Sequence, residues 1–411
     1  MNDISVRPMT RGVLRAICAV TAFFLVSPVL GQPVAAPAVD PARVLVKRLD
    51  LERYKATIKA LTQFGDRRQG TARNRAAIDW IEAQLKSYGC TNTERLKYTF
   101  GEEPAHTVAP ARAAVPTGSD EPGLSVGGGR SRGFTRKTGV NTDPNAQPDA
   151  RIRALDMPPA FPGEREEVYC TKIGIGHPNE MYIVSGHMDG IGFGEAANDD
   201  GSGTALVMEL ARVFSSPDVQ TDRSIRFILW NNEETGLNGS KAYVEQRAAL
   251  QGKESPAGSG RYPEPKWLGV IQHDMMMFDH GMPRADGTVS PVQRPEADVN
   301  IEFQATSKFA AQAQELAWVL QAANERYATD YPAAVGRHMT NTDSTPFMDL
   351  APAVSLRENE RGAQIGSGWD PQWHQPTDLY TTYSDKDFLL GLNAAQTTLS
   401  AIARLAGATL R

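Results

Sequence analysis

Residues 181–203, MYIVSGHMDGIGFGEAANDDGSG, decide the fold. Met181 to Gly186 is an apolar run too short for a helix, the mark of a strand buried on both faces. It ends in His187-Met188-Asp189-Gly190, which places an imidazole and a carboxylate just past the strand's carboxyl end. Asn198-Asp199-Asp200-Gly201-Ser202-Gly203 then leads into a helical pattern from Ser202 to Phe214. A buried strand followed by a helix is half of a βαβ unit, and sheets built from such units collect ligands beyond the carboxyl ends of their strands.

The same pattern repeats on either side. Apolar runs at Glu167–Ile173, Ser224–Trp230, Trp267–Ile271 and Ala353–Leu356 alternate with helical spacing over Thr235–Leu250, Thr306–Ala328 and Ser384–Leu405. Ser384 with Asp387 three residues on reads as the opening of the last helix. Upstream, Ala42–Gln63 and Thr71–Tyr88 read as helices, and Leu96, Tyr98 and Phe100 alternate as a strand. The prediction is an α/β fold, a mostly parallel mixed sheet with helices on both faces.

Further acidic and imidazole clusters fall on the same rim. Ser224–Trp230 ends in Asn231-Asn232-Glu233-Glu234, Trp267–Ile271 is followed by His273 and Asp274, and a late loop carries Trp373-His374-Gln375-Pro376. Any one cluster alone is adequately explained as a helix cap or a turn. Five on one rim gather negative charge that cations would have to neutralise.

Composition narrows the class. Lys plus Arg is 43 against 48 Asp plus Glu, a net charge of −5, so there is no basic field for nucleic acid or an anionic membrane. With 41% hydrophobic and 22% charged residues, the chain is neither disordered throughout nor a multi-span membrane protein. Arg7, Arg11 and Arg15 followed by the apolar stretch Ala16–Leu30 read as a secretory signal peptide over residues 1–31, with the mature chain starting near Gln32 and a retained N-terminal anchor as the rival reading. Cleavage predicts a secreted or periplasmic protein with no membrane span. It also leaves two cysteines, Cys90 and Cys170. In an oxidising compartment an even count favours one disulfide over two buried thiols. Residues 101–163 contain 9 Gly, 9 Pro and only 9 Leu, Ile, Val or Phe, which predicts an irregular insertion on the surface. With both segments set aside, the remainder fits one domain over residues 32–411 rather than the two or three that length alone suggests.

In order, HMDG, NDDGSG, RFILWNNEETGLNGSKAY, HDMM and WHQPTD resemble the motifs of the dizinc exopeptidases, the leucine aminopeptidase-like and glutamate carboxypeptidase-like zinc peptidases, over roughly residues 165–406. More weakly, FGDRRQGTARNRAAIDWIEAQL resembles the region before the family's first strand. The resemblance implies two zinc ions per chain. Asp199 would bridge them, with His187 and Asp274 completing one site and Glu234 and His374 the other. Three protein ligands per ion, with room left for water, is what a catalytic zinc requires, and two ions can share and activate a bridging water. Glu233, adjacent to a ligand but free, suits the general base. Asp189 is placed to orient His187.

The sequence departs from the family at two places. Asn232 stands where the family commonly has Gly, and Thr342-Asp343-Ser344-Thr345-Pro346-Phe347 lacks the His often found in that element. His273 precedes a proposed ligand without matching the motif, and His106, His177, His280 and His338 match none. The acidic rim favours a substrate's free ammonium, hence an aminopeptidase acting on peptides. Arg357, a candidate for binding a substrate carboxylate, keeps a carboxypeptidase open. A single-zinc glutaminyl cyclase and a non-enzymatic zinc module are the remaining alternatives.

Overall fold

A computed structural model describes residues 39–101, 140–279, 299–358 and 370–411. The signal-peptide expectation for residues 1–31, the start near Gln32, residues 102–139 of the insertion, His106 and His280 lie outside the described residues. Asp40–Arg411 forms one compact unit.

In chain order the elements are α1 (Pro41–Val46), α2 (Leu51–Leu61), α3 (Ala72–Ser87), β1 (Glu94–Phe100), α4 (Ala150–Asp156), β2 (Gly163–Lys172), β3 (His177–His187), α5 (Gly201–Phe214), β4 (Val219–Gln220), β5 (Arg223–Trp230), α6 (Asn238–Arg247), β6 (Lys266–His273), β7 (Val299–Phe303), α7 (Ala310–Tyr327), β8 (Ala333–Gly336), β9 (Ala353–Arg357), α8 (Asp385–Leu405) and β10 (Thr409–Leu410). Eight strands form one sheet in the order β1-β2-β5-β3-β6-β9-β7-β8. Its centre, β5-β3-β6-β9, is parallel; β1, β2 and β7 join antiparallel. This is the mostly parallel mixed α/β sheet that the sequence predicts.

Strand alternation divides the core into two. Val184, Phe227, Leu229, Ile271 and Leu356 pack with the helices of one face into the larger cluster. Their neighbours Ile183, Ile228, Trp230 and Val270 pack on the other face with Tyr243 of α6 and with Phe347. Because both faces are covered, the central strands read as continuous apolar runs. No helix among the described residues is long and apolar enough to cross a membrane.

Three local expectations are corrected. The single helix expected over Ala42–Gln63 is broken between α1 and α2, because Asp50 adopts extended backbone and its side chain accepts from Arg53 N, starting a new helix. Strands β7 and β8 were absent from the sequence reading. Asn300 and Glu302 of β7 are buried, so its polar alternate positions point inward rather than to solvent.

The insertion is the third correction, since its described end, residues 140–163, holds a regular helix, α4. Asp149 accepts from Arg151 N and Ile152 N and so caps α4. The carboxylate of Asp156 at the helix end is buried and accepts from Asp66 N at 3.0 Å. Composition averaged over 63 residues concealed a helix of seven.

Cys90, just after α3, is disulfide-bonded to Cys170 in β2, with the Cα atoms 6.2 Å apart and the two residues 80 positions apart in sequence. Cross-linking a loop of that length removes entropy from the unfolded chain. Reduction, or Cys90→Ser with Cys170→Ser, is expected to lower unfolding stability by about 3–5 kcal/mol; chemical denaturation with and without reductant measures it.

Candidate metal centre

Register places the acidic and imidazole residues on one rim. His187 is paired with Trp230, Gly186 with His273, and His273 with Leu356, so β3, β5, β6 and β9 end level with one another. The residues that follow, Glu233 and Glu234 after β5 and Asp274 after β6, converge on His187.

At the centre is Asp199. Its Oδ1 lies 3.3 Å from His187 Nε2 and its Oδ2 lies 3.0 Å from His374 Nε2. Glu234 Oε2 is 2.8 Å from His374 Nε2, and Asp274 Oδ1 is 3.9 Å from His187 Nε2. Three sets of side chains therefore each bring possible ligand atoms within 4.8 Å of one another: His187, Asp199, Asp274; Asp199, Glu234, His374; and His187, Glu233, Glu234. They line a cavity of about 230 Å³ with Gly236, Asn341, Arg357 and Trp373.

Second contacts aim these groups. His187 Nδ1 is 3.0 Å from the Asp189 carbonyl. A carbonyl only accepts, so Nδ1 carries a proton and Nε2 is the nitrogen turned to the rim, where a metal ion in place of a proton would take its lone pair. The Asp189 carboxylate does something else: Oδ1 accepts from Glu233 N at 3.1 Å. Asp189 thus steadies the imidazole through its main chain and the base candidate through its side chain. Asp200 caps α5 by accepting from Gly203 N at 2.8 Å, and it also accepts from His187 N at 3.0 Å and Met275 N at 3.2 Å. Asp378 accepts from Asn198 N at 2.9 Å and Asp199 N at 3.1 Å. The wholly buried Arg67 donates to the carbonyls of Met188 (2.7 Å), Glu195 (2.8 Å) and Ala196 (2.8 Å), fixing the loop between His187 and Asp199.

Asp200, Asp378 and Arg67 were not singled out in the sequence. All three lie inside quoted stretches; a carboxylate at a helix start and one four residues past His374 were available signals for the first two, whereas nothing in the spacing around Arg67 marks it.

Electrostatics follow from burial. Loss of water, with Asp199 nearby, pushes Glu234 up to about 7. Burial also drives Glu233 well above the usual carboxylate range. For Asp199 burial would do the same, but hydrogen bonds with His187 and His374 outweigh it and hold the group low. Burial opposes charge on both imidazoles, yet the carboxylates around them raise their pKa values well above the ordinary one. These are the responses of a site that needs added positive charge. Glu234 Oε1 is buried without a hydrogen-bond partner among the described residues, and imidazole with carboxylate is a donor set that zinc accepts. The residues fit a metal.

Arg357, the candidate for a substrate carboxylate, is buried with its guanidinium Nη2 2.5 Å from Asp274 Oδ2. Burial would raise Asp274, but this guanidinium and His187 bring it down to about 2. His273 points away from the rim: Nδ1 meets Ser185 O at 2.9 Å, Nε2 meets Thr398 Oγ1 at 2.8 Å, and burial lowers it to about 4, a neutral core histidine. Ser344, where the family often has His, is buried with its Oγ unpartnered among the described residues. Its neighbour Asp343 instead accepts from Ser240 Oγ of α6 at 2.5 Å.

The other departure has a backbone explanation. Asn232 has φ +64°, and its side chain accepts from Thr235 Oγ1. Glycine enters the left-handed region freely, and Asn tolerates it best among side-chain-bearing residues. Asn232→Gly is therefore expected to change stability by less than about 1 kcal/mol, and Asn232→Leu to cost about 1–2 kcal/mol, read from thermal unfolding of the metal-loaded protein.

The pattern of peptidase family M28 matches residues 170–397. Among curated proteins, Aminopeptidase YwaD of Bacillus subtilis is 44% identical over 81 residues, 20% of this chain and 17% of that one. Leupeptin-inactivating enzyme 1 of Streptomyces exfoliatus is 26% identical over 251 residues, 59% of this chain and 43% of that one. The chain thus spans less than half the length of these two curated relatives. Among solved structures, the aminopeptidase from Aneurinibacillus sp. strain AM-1 shares the fold with a TM-score of 0.56 at 19% identity, over 89% of this chain and 96% of that one. The family pattern spans more than half of the 411 residues and holds all five strand-end and loop clusters, both rim imidazoles included, and on that match the chain belongs to peptidase family M28.

Proposed function

We propose that the protein is an exported aminopeptidase, a single catalytic domain that removes N-terminal residues from peptides with two zinc ions. The observation that carries the reading is the disposition of Asp199, whose two carboxylate oxygens face two different imidazoles, each with its own further carboxylate. His187, Asp199 and Asp274 would hold one ion, and Asp199, Glu234 and His374 the other. When bound, the ions would polarise the scissile carbonyl and make a water acidic enough to attack near neutral pH.

The chain's own residues supply the remaining steps. Glu233, in the cavity but outside the two three-residue ligand sets, takes a proton from the attacking water on its carboxylate and delivers it to the leaving amine nitrogen. Asp189 holds Glu233 in place through the Glu233 amide. The carboxylate-lined cavity attracts a free α-ammonium. Arg357 is engaged with Asp274, so it is better read as fixing that ligand than as receiving a C-terminal carboxylate. That favours an aminopeptidase over a carboxypeptidase, and the second donor set disfavours a single-zinc cyclase. Export is supported by the Cys90–Cys170 disulfide together with the N-terminal sequence pattern.

Elemental analysis is expected to give two zinc ions per chain; a value near one overturns the two-ion reading. Glu233→Gln should lower kcat by about 100-fold or more, as loss of a general base does, while metal content stays unchanged; undiminished turnover overturns its role. Peptides with a free N-terminus should be cleaved whether or not the C-terminus is amidated, and N-acetylation should abolish cleavage. The opposite pattern identifies a carboxypeptidase, and ring closure of N-terminal Gln identifies a cyclase.

A further inference from the structure

Gln147 belongs to none of the sequence motifs, yet its side chain is fully buried between the two loops that carry rim residues. Nε2 donates to Phe193 O at 2.8 Å and to Pro376 O at 2.9 Å, and Oε1 accepts from Asp149 N at 3.0 Å. Phe193 lies between His187 and Asp199, and Pro376 lies two residues past His374. One amide group therefore joins the two loops, with both its hydrogens and its oxygen used. Asn141 reinforces the link: its N donates to His374 O at 3.0 Å and its Nδ2 to Gly192 O at 3.3 Å.

His374 needs such support. Its φ of +57° lies in the left-handed region, which a residue with a side chain keeps only where its surroundings fix it. Its ring also lacks the usual second anchor. Nδ1 is buried without a hydrogen-bond partner among the described residues, whereas His187 Nδ1 rests on a carbonyl at 3.0 Å. What directs the His374 ring is its main chain, together with the Trp373 ring stacked on it at 4.1 Å. The two loops meet backbone to backbone, since a Cβ on Gly192 would lie 2.4 Å from the His374 carbonyl.

We propose that Gln147 is a positioning residue for the Glu234–His374 half of the metal centre, holding His374 on target by clamping its loop to the loop between His187 and Asp199. This rests on the two-ion reading above. The two halves differ in what supports them. His187 and Asp274 stand at strand ends within the parallel sheet, whereas His374 stands on a loop tied down by a side chain from the end of the insertion. Loss of Gln147 should loosen one ion and spare the other.

The test is a calorimetric titration of the metal-stripped full chain with Zn²⁺ against a competing chelator. Gln147→Ala and the near-isosteric Gln147→Met remove the clamp, the second keeping the volume filled if the first does not fold. Gln246→Ala is the control, deleting a comparable bond from an exposed side chain to Lys97 O at 2.9 Å on β1. Loss of an outer-shell partner typically weakens metal binding by 10–100-fold, so about tenfold weaker binding is expected at one site in the Gln147 variants, with the other site within about threefold and the control unchanged at both. Equal weakening at both sites, or none at either, overturns the proposal. A wild-type stoichiometry of one overturns the two-ion reading itself and this assignment with it.

Discussion

One buried carboxylate facing two imidazoles is the constraint around which the rim is organised. A carboxylate removed from water is costly unless its lone pairs are met by positive partners, and those of Asp199 are met only if the His187 and His374 nitrogens stay within about 3 Å on opposite sides. Small displacements of either loop would break that arrangement, so the main chain is fixed by side chains from several elements. Asp378 takes the amides of Asn198 and Asp199. Asp200 joins the end of β3, the start of α5 and the residues after β6 in a single set of hydrogen bonds. Arg67 holds three carbonyls of the intervening loop.

The parallel sheet was legible because its strands are buried on both faces, and uninterrupted runs such as residues 227–230 have few other readings. The rim residues were legible for a related reason. Topology places whatever follows a parallel strand on the same edge as whatever follows its neighbour, so His187, Glu233 and Asp274 could be grouped without contacts. Gln147, Arg67 and the dual role of Asp189 were not legible. Their partners are main-chain atoms far away in sequence, such as Pro376 O for Gln147, and an amide or guanidinium aimed at a distant carbonyl leaves no trace in residue spacing. Strand β7 escaped because Asn300 and Glu302 are polar residues buried in the fold, and a period-two reading assigns such positions to solvent.

Adjacent residues can have opposite fates for a simple geometric reason. His273 and Asp274 straddle the end of β6: the pleat sends the imidazole into the core against Thr398, and the chain leaving the strand turns the carboxylate to the rim. Composition cannot make that distinction, but alternation can. Asn232 shows the same logic in dihedral space. A residue that departs from a family preference for Gly still satisfies the requirement behind it, a positive φ between the strand end and Glu233.

Among the described residues the sheet has two edges, and β1 forms one of them. An edge strand presents unpaired amides and carbonyls on which another chain can template itself. Here the strand is guarded by charge. Arg95 is held by Asp79, Glu82 and Glu166, Lys97 by Glu164 and Glu166, and the Lys97 carbonyl already accepts from Gln246. A second molecule pairing along β1 would have to strip water from these cations and displace that bond, so the strand that extends the sheet also resists self-association by edge-to-edge addition.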